Sequence, residues 1–182
     1  MIYPAETVTL KDGSTCTIRS AASEDAARML QYMHIMLGET RFLLRSPEEF
    51  NYTEEAEAAI LAGRANDPRT LMLLAEKDGQ IVACADVHSH GAKSRTWHRA
   101  DLGMSVRKDY WHLGIGSALM ERLIAFARAH DFEQIELEVV AANRRALNLY
   151  VKYGFEVYGT RPHGMKYEDG TYANDYMMVK TL

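Results

Sequence analysis

The chain has 182 residues, 47% of them hydrophobic, which is enough to enclose one core, and the expected organisation is a single domain over 1–182. Its formal net charge of −4 offers no general attraction for nucleic acid or an anionic membrane. No apolar run is long enough for a membrane span or signal peptide, and Cys16 and Cys84 form neither a disulfide framework nor a Cys-x-x-Cys pair, so the expected compartment is the cytoplasm.

Three Asp-Gly pairs, Asp12-Gly13, Asp78-Gly79 and Asp169-Gly170, each stand between segments of strand composition, the strongest short-range hairpin signal. The first hairpin is expected over 7–19, and the second pairs 71–76 with 81–88. Between them, Ser23 followed by Glu24 and Asp25 reads as the N-cap of a helix with Ala27, Leu30, Met33, His34 and Leu37 on one face, ended by Gly38. Thr53, followed by Glu54 and Glu55, caps a second helix that closes near Gly63, ahead of Asp67-Pro68. Residues 39–52 between the helices show no period.

After the second hairpin, residues 97–106 read as a strand. Residues 117–130 read as a helix whose stripe of Leu119, Met120, Leu123, Ile124, Phe126 and Ala127 suits packing on a sheet. Ile135, Leu137 and Val139 alternate with Glu136 and Glu138, as in a half-buried strand. A short helix over 143–153 stops at Gly154, the residue type suited to a left-handed position past a helix end. Strands near 155–161 and 171–180 flank the third turn. The fold class is α+β, a mixed and mostly antiparallel sheet covered by helices.

Two segments carry the chemistry. The first ends a strand and passes through Trp111, His112, Leu113, Gly114, Ile115, Gly116 and Ser117 into a helix. Its two glycines let backbone amides crowd together, and the helix N-terminus favours a pyrophosphate. The second reads Asn143-x-x-Ala146-x-x-Leu149-Tyr150-x-x-x-Gly154-Phe155 and delivers a phenol.

In this order the two segments resemble the GNAT superfamily of acyl-coenzyme A dependent N-acetyltransferases, whose later motif is met at every position from Asn143 to Phe155. The earlier turn matches at Gly114 and Gly116, while Trp111 stands where the family has Gln or Arg. The resemblance implies a strand that splays from its neighbour and offers backbone groups at Met104 and Val106 to the pantetheine arm. It also implies acetyl-CoA as cosubstrate, bound by 111–117 and Asn143, with Tyr150 beside it. Arg107, Lys108, Arg144 and Arg145 are nearby cations for the outer phosphates.

Amine acetylation by a thioester needs a neutral nucleophile, a polarised carbonyl and a proton for the leaving thiolate. Tyr150 is the expected acid, since a phenol with a reference pKa of about 10 keeps its proton at neutral pH. Asp101 is the first choice for the base and Glu138 the second. His88, His90 and His98 lack a convincing fourth ligand, so no metal is expected, and residues 91–94 read as the loop beside them. The Met29, Met33 and Met36 set reads as helix packing and Cys84 as a buried, inert thiol.

Acceptor choice is expected to come from 39–52, the end of the first helix and the hairpin over 161–172. The expected activity is direct acetyl transfer to a primary amine of a small molecule, with neither nucleic acid nor membrane as partner and a homodimer left open. A lysine or N-terminal protein acetyltransferase and a non-catalytic coenzyme A binding module are the alternatives.

Overall fold

The computed structural model describes residues 2–91 and 93–182; Ala92, within the expected 91–94 loop, lies outside the described residues. Eight strands form one sheet: β1 Glu6–Thr9, β2 Thr15–Ser20, β3 Thr70–Lys77, β4 Gln80–Ser89, β5 Arg99–Val106, β6 Gln134–Val140, β7 Glu156–Lys166 and β8 Tyr172–Thr181. Their order is β1-β2-β3-β4-β5-β6-β8-β7, and every pairing is antiparallel except β5 with β6. Among the described residues four α-helices cover it, α1 Ala26–Glu39, α2 Glu54–Asn66, α3 Ile115–Ala129 and α4 Arg144–Lys152. Among the described residues no helix is long and apolar enough to cross a membrane.

The Asp-Gly turns act as expected. Asp78 and Gly79 take φ of 52° and 75°, the twin positive values of the two-residue turn whose twist matches paired strands. The helices divide between the sheet's faces. Met29, Tyr32 and Met36 of α1 and Leu61 of α2 pack with Leu74, Ile81 and Cys84 on one face. Leu119, Leu123 and Phe126 of α3, with Leu147 and Tyr150 of α4, pack with Leu73, Leu102, Leu137 and Met178 on the other.

Four expected details are corrected. The α1 face is rotated: Ala26, Met29, Tyr32, Met36 and Leu37 are buried while His34 is exposed. The helix is apolar on several sides, so period alone does not settle its phase. Ser23 lies in a 3-10 turn, and the buried Asp25 carboxylate takes the Ala22 N–H at 2.9 Å instead. Neither Gly38 nor Gly63 ends its helix; α1 stops where Thr40 turns extended and α2 where Asp67 does, just before Pro68. Residues 94–96 form a 3-10 turn, so β5 begins at Arg99 rather than Trp97. The caps at Thr53 and Asn143 do form, to the Ala56 and Ala146 amides.

Strands β2 and β3 are tied to the start of α1 by charge. Arg19 holds Asp25 in a bidentate pair at 2.6 and 2.7 Å and Glu76 at 2.7 Å, and Arg28 reaches Glu76 as well. Burial alone would raise the Asp25 carboxyl, but hydrogen bonds from Arg19 and Ala22 outweigh it and hold it below the ordinary value. A depressed folded pKa contributes stability above the unfolded value of about 3.9, lost as pH falls through the folded one. Asp25→Asn should therefore cost about 2 kcal/mol at pH 7, by taking from Arg19 its bidentate partner while Glu76 remains, with the gap to the parent chain narrowing below about pH 4. Urea midpoints across pH check this; a gap independent of pH would contradict it.

Candidate active site

β5 and β6 share only three rungs, Arg99 with Gln134, Ala100 with Ile135 and Asp101 with Glu136. Beyond them β5 stays with β4 as far as Val106, while β6 stays with β8 as far as Val140. The strands part, and backbone edges that a closed sheet would pair are left open. A cavity of about 520 Å³ fills the opening, lined by Leu102 to Val106 of β5 and Glu138 to Val140 of β6.

At one end the cavity meets the turn into α3. His112 and Gly114 take φ of 67° and 96°, so successive amides turn toward one concavity. The helix begins at Ile115, and the N–H groups of its first turn have no carbonyl of their own helix to meet. Gly116 lets this turn come close: a Cβ there would stand 3.2 Å from Leu149 Cδ2 and 3.5 Å from Met104 Sδ. Trp111, His112, Gly114, Ile115, Gly116, Ser117, Met104, Val106, Asn143 and Tyr150 all border the cavity. Leu113 does not; its carbonyl accepts the Lys11 N–H at 3.0 Å.

Trp111 supplies a donor even though it is neither Gln nor Arg. Its indole Nε1 gives a 2.7 Å bond to the Val106 carbonyl, occupying one lone pair of a group expected to face the cofactor, and Arg145 stacks on the ring. Of the four expected cations only Arg145 reaches the cavity. Arg107 is drawn to Gln80. Lys11, at the tip of the first hairpin, borders the cavity and lies over Gly114; being a hundred residues away in sequence, it gave no local signal.

Tyr150 is 6% exposed, and its hydroxyl is bonded to no described group. Burial pushes its pKa up to about 12, so the phenol stays protonated throughout the neutral range. It comes from the α3–α4 face of the sheet, as do Met104 and Val106. Glu138, on the opposite face by strand alternation, borders the cavity but is held by Arg161 through two 2.6 Å bonds.

Asp101 is not brought to the cavity. It stands on the last shared rung, with His90 Nδ1 at 2.8 Å from its Oδ2. His88 is likewise engaged by Asp86, at 2.8 Å. Among the described residues no group of three or more His, Cys, Asp or Glu side chains could hold a metal ion. Sequence reasoning missed Asp175, a buried carboxylate on β8 that borders the same cavity.

The segments expected to choose the acceptor meet at the other end. Thr40, Phe42, Leu43 and Leu44 border the cavity after Met36 of α1, and Gly164 and Met165 border it from β7. Arg41 pins the two sides, lying 3.5 Å over the Tyr167 ring and donating to Thr171 at 2.9 Å.

Comparison with known proteins agrees with this geometry. The model of the Acetyltransferase (GNAT) family matches residues 37–155. The chain is similar to the L-amino acid N-acetyltransferase AaaT of Escherichia coli K12, 35% identical over 119 residues that cover 59% of this chain and 72% of that protein. Among solved structures, a GNAT family acetyltransferase from Streptococcus pneumoniae superposes with a TM-score of 0.87 at 29% identity, covering 92% of this chain and 99% of that one. A putative acetyltransferase from Salmonella typhimurium, solved with acetyl-CoA, shares the fold with a TM-score of 0.80 at 19% identity, covering 93% and 95%.

Gly116→Glu should abolish acetyl-CoA binding, because a side chain and a negative charge would enter the space between the amides, Met104 and Leu149. Titration calorimetry on the folded variant checks this, and unchanged affinity would overturn the cradle.

Proposed function

The chain belongs to the GNAT family of acetyltransferases and is an acetyl-CoA dependent acyltransferase, and on that premise we propose that it moves the acetyl group directly to the primary amine of a small molecule. The observation that carries this reading is the unbonded hydroxyl of the largely buried Tyr150 at a gap between strands whose two ends differ, one bordered by the turn into α3 and the other by apolar side chains.

The amides of His112 and of Gly114 to Ser117 would hold the pyrophosphate, with Lys11 and Arg145 as cations for the phosphates. Pantetheine would lie along β5 near Met104 and Val106. Tyr150 would give its proton to the departing thiolate. Burial that weakens the phenol as an acid also raises the proton affinity of a thiolate beside it, so the transfer keeps its driving force.

A small acceptor is favoured over a peptide because Arg41 ties residues 40–44, which border the acceptor end, to the β7–β8 hairpin. Met36, Phe42, Leu43 and Met165 suit an apolar substituent. The name of the E. coli relative points to the same class, an amino acid amine. The reading takes 1–182 as one catalytic domain.

Thiol release over a panel of L-amino acids, polyamines, aminoglycosides and peptides tests the acceptor class; turnover confined to peptides would reject it. Tyr150→Phe should lower turnover by roughly tenfold to a thousandfold with acetyl-CoA affinity nearly unchanged, as befits a donor acting in the transition state. Steady-state kinetics beside calorimetry measures both, and wild-type turnover in the variant would make Tyr150 a packing residue.

A further inference from the structure

Asp175 stands in the middle of β8, flanked in register by Val140 of β6 and Arg161 of β7. It is 4% exposed, and its Oδ1 is buried with no hydrogen-bond partner among the described residues. The side chain nevertheless borders the cavity. A carboxylate taken out of water without a donor is costly, and since Oδ1 is itself closed off, its retention beside a cavity points to a ligand that donates to the other oxygen, Oδ2, next to Gly164.

The neighbours explain why the carboxylate is left free. Arg161 is opposite it on β7, but both of its terminal nitrogens are committed to Glu138. On the same side β7 bulges: Arg161 pairs with Asp175 and Met165 with Ala173, leaving two extra residues in β7. Within the bulge His163 takes a φ of 53° and donates its N–H to Asn174 Oδ1 at 3.0 Å. Gly164 then lies directly against the Asp175 carboxylate, where a Cβ would collide with Oδ2. The backbone makes room for this acid without bonding it.

Alternation along β8 sets Asp175 on the sheet face opposite Met178, hence opposite the face that carries Tyr150. The apolar walls at Met36, Phe42 and Leu43 belong to the Asp175 side, after α1. An acceptor held there would meet a thioester reaching through the gap from the Tyr150 side.

We propose that Asp175 is the acceptor-side carboxylate, which binds the ammonium R–NH3+ of an amine with an apolar R group and takes one of its protons before nitrogen attacks. This rests on the small-amine reading above. The ammonium N–H bond breaks, its electron pair stays on nitrogen, and Asp175 becomes a carboxylic acid. Nitrogen forms the C–N bond, the C–S bond breaks, and the sulfur pair takes the Tyr150 proton. The second proton lost by nitrogen returns through solvent to the Tyr150 oxygen, and Asp175 releases its own to solvent. The sum is R–NH3+ plus thioester giving amide, thiol and one H+.

Burial raises the Asp175 carboxyl, the Glu138 charge raises it further, and Arg161 opposes both. These are the charged groups facing it, from β6 and β7. A raised value makes the ionised form a better base at neutral pH, and the role is lost as pH falls through that value.

The test is Asp175→Asn, which keeps shape and removes charge. Calorimetry should give acetyl-CoA affinity within about twofold of the parent. Binding of isoamylamine and L-leucine to the coenzyme A-loaded protein should weaken at least about tenfold. On an amine the parent acetylates, kcat/KM should fall about a hundredfold at pH 7, the deficit shrinking toward pH 10 as free amine accumulates. Gly164→Ala, which retains the charge but displaces the carboxylate, should lower kcat/KM in the same direction and provides a second variant if the first misfolds. Unchanged amine binding and kcat/KM in folded Asp175→Asn, while the parent acetylates small amines, overturns Asp175 and leaves the acceptor class standing. Amine binding that depends on Asp175 in a parent releasing no thiol with any small amine supports Asp175 and overturns the acceptor class instead. No amine binding and no acetylation in the parent overturns both.

Discussion

The site depends on the early parting of β5 and β6. Three shared rungs join the two halves of the sheet, and after Asp101 and Glu136 each strand follows its other neighbour. In a closed sheet, side chains on opposite faces are kept apart by the backbone layer itself. Here the gap removes that layer, so Tyr150 from one face and Asp175 and Glu138 from the other border the same space. The α3 turn is held at the opening by close packing of Gly116 on Met104 and Leu149, and the first hairpin braces it through the Lys11 bond to Leu113. The proposed cofactor cradle and acceptor pocket are thus two ends of one defect in pairing.

What was legible in the sequence is what local rules decide. Asp78-Gly79 makes a hairpin because its φ values suit few other pairs, and Asn143, Tyr150 and Gly154 mark one helix from cap to stop. The phase of α1 was not legible, because Tyr32 and Met36 are buried on a helix apolar on several sides, and tertiary packing chooses among them. Lys11 reaches the α3 turn only through a hairpin contact a hundred residues away. Asp101 was reasonable by strand position, but which acid enters the cavity depends on where the rungs stop, and strand composition does not show that. Asp175 follows Asn174 in a strand without clean alternation, and nothing local in the sequence marks it as buried. Its burial follows from the bulge around His163 and Gly164, a feature of the neighbouring strand.

Charge at the acceptor end is arranged in unequal pairs. Glu138 and Asp175 are two carboxylates near one guanidinium, and Arg161 satisfies the more exposed of them with both of its nitrogens. Glu138 is 52% exposed in its side chain, so that pair is screened by solvent and adds little to stability, but it does remove Arg161 from competition for Asp175. The buried acid is therefore left to a ligand. A fold selected only for stability would have paired Asp175 or replaced it, since an unsatisfied buried polar group costs about 1–3 kcal/mol and a charged one more. The bulge in β7 interrupts pairing beside Asp175 and gives it Gly164 as a neighbour in place of a larger side chain, so the strain and the free carboxylate occur together. Binding an ammonium would supply a donor to this carboxylate, and acceptor affinity and the stability of this corner of the sheet are then coupled through one side chain.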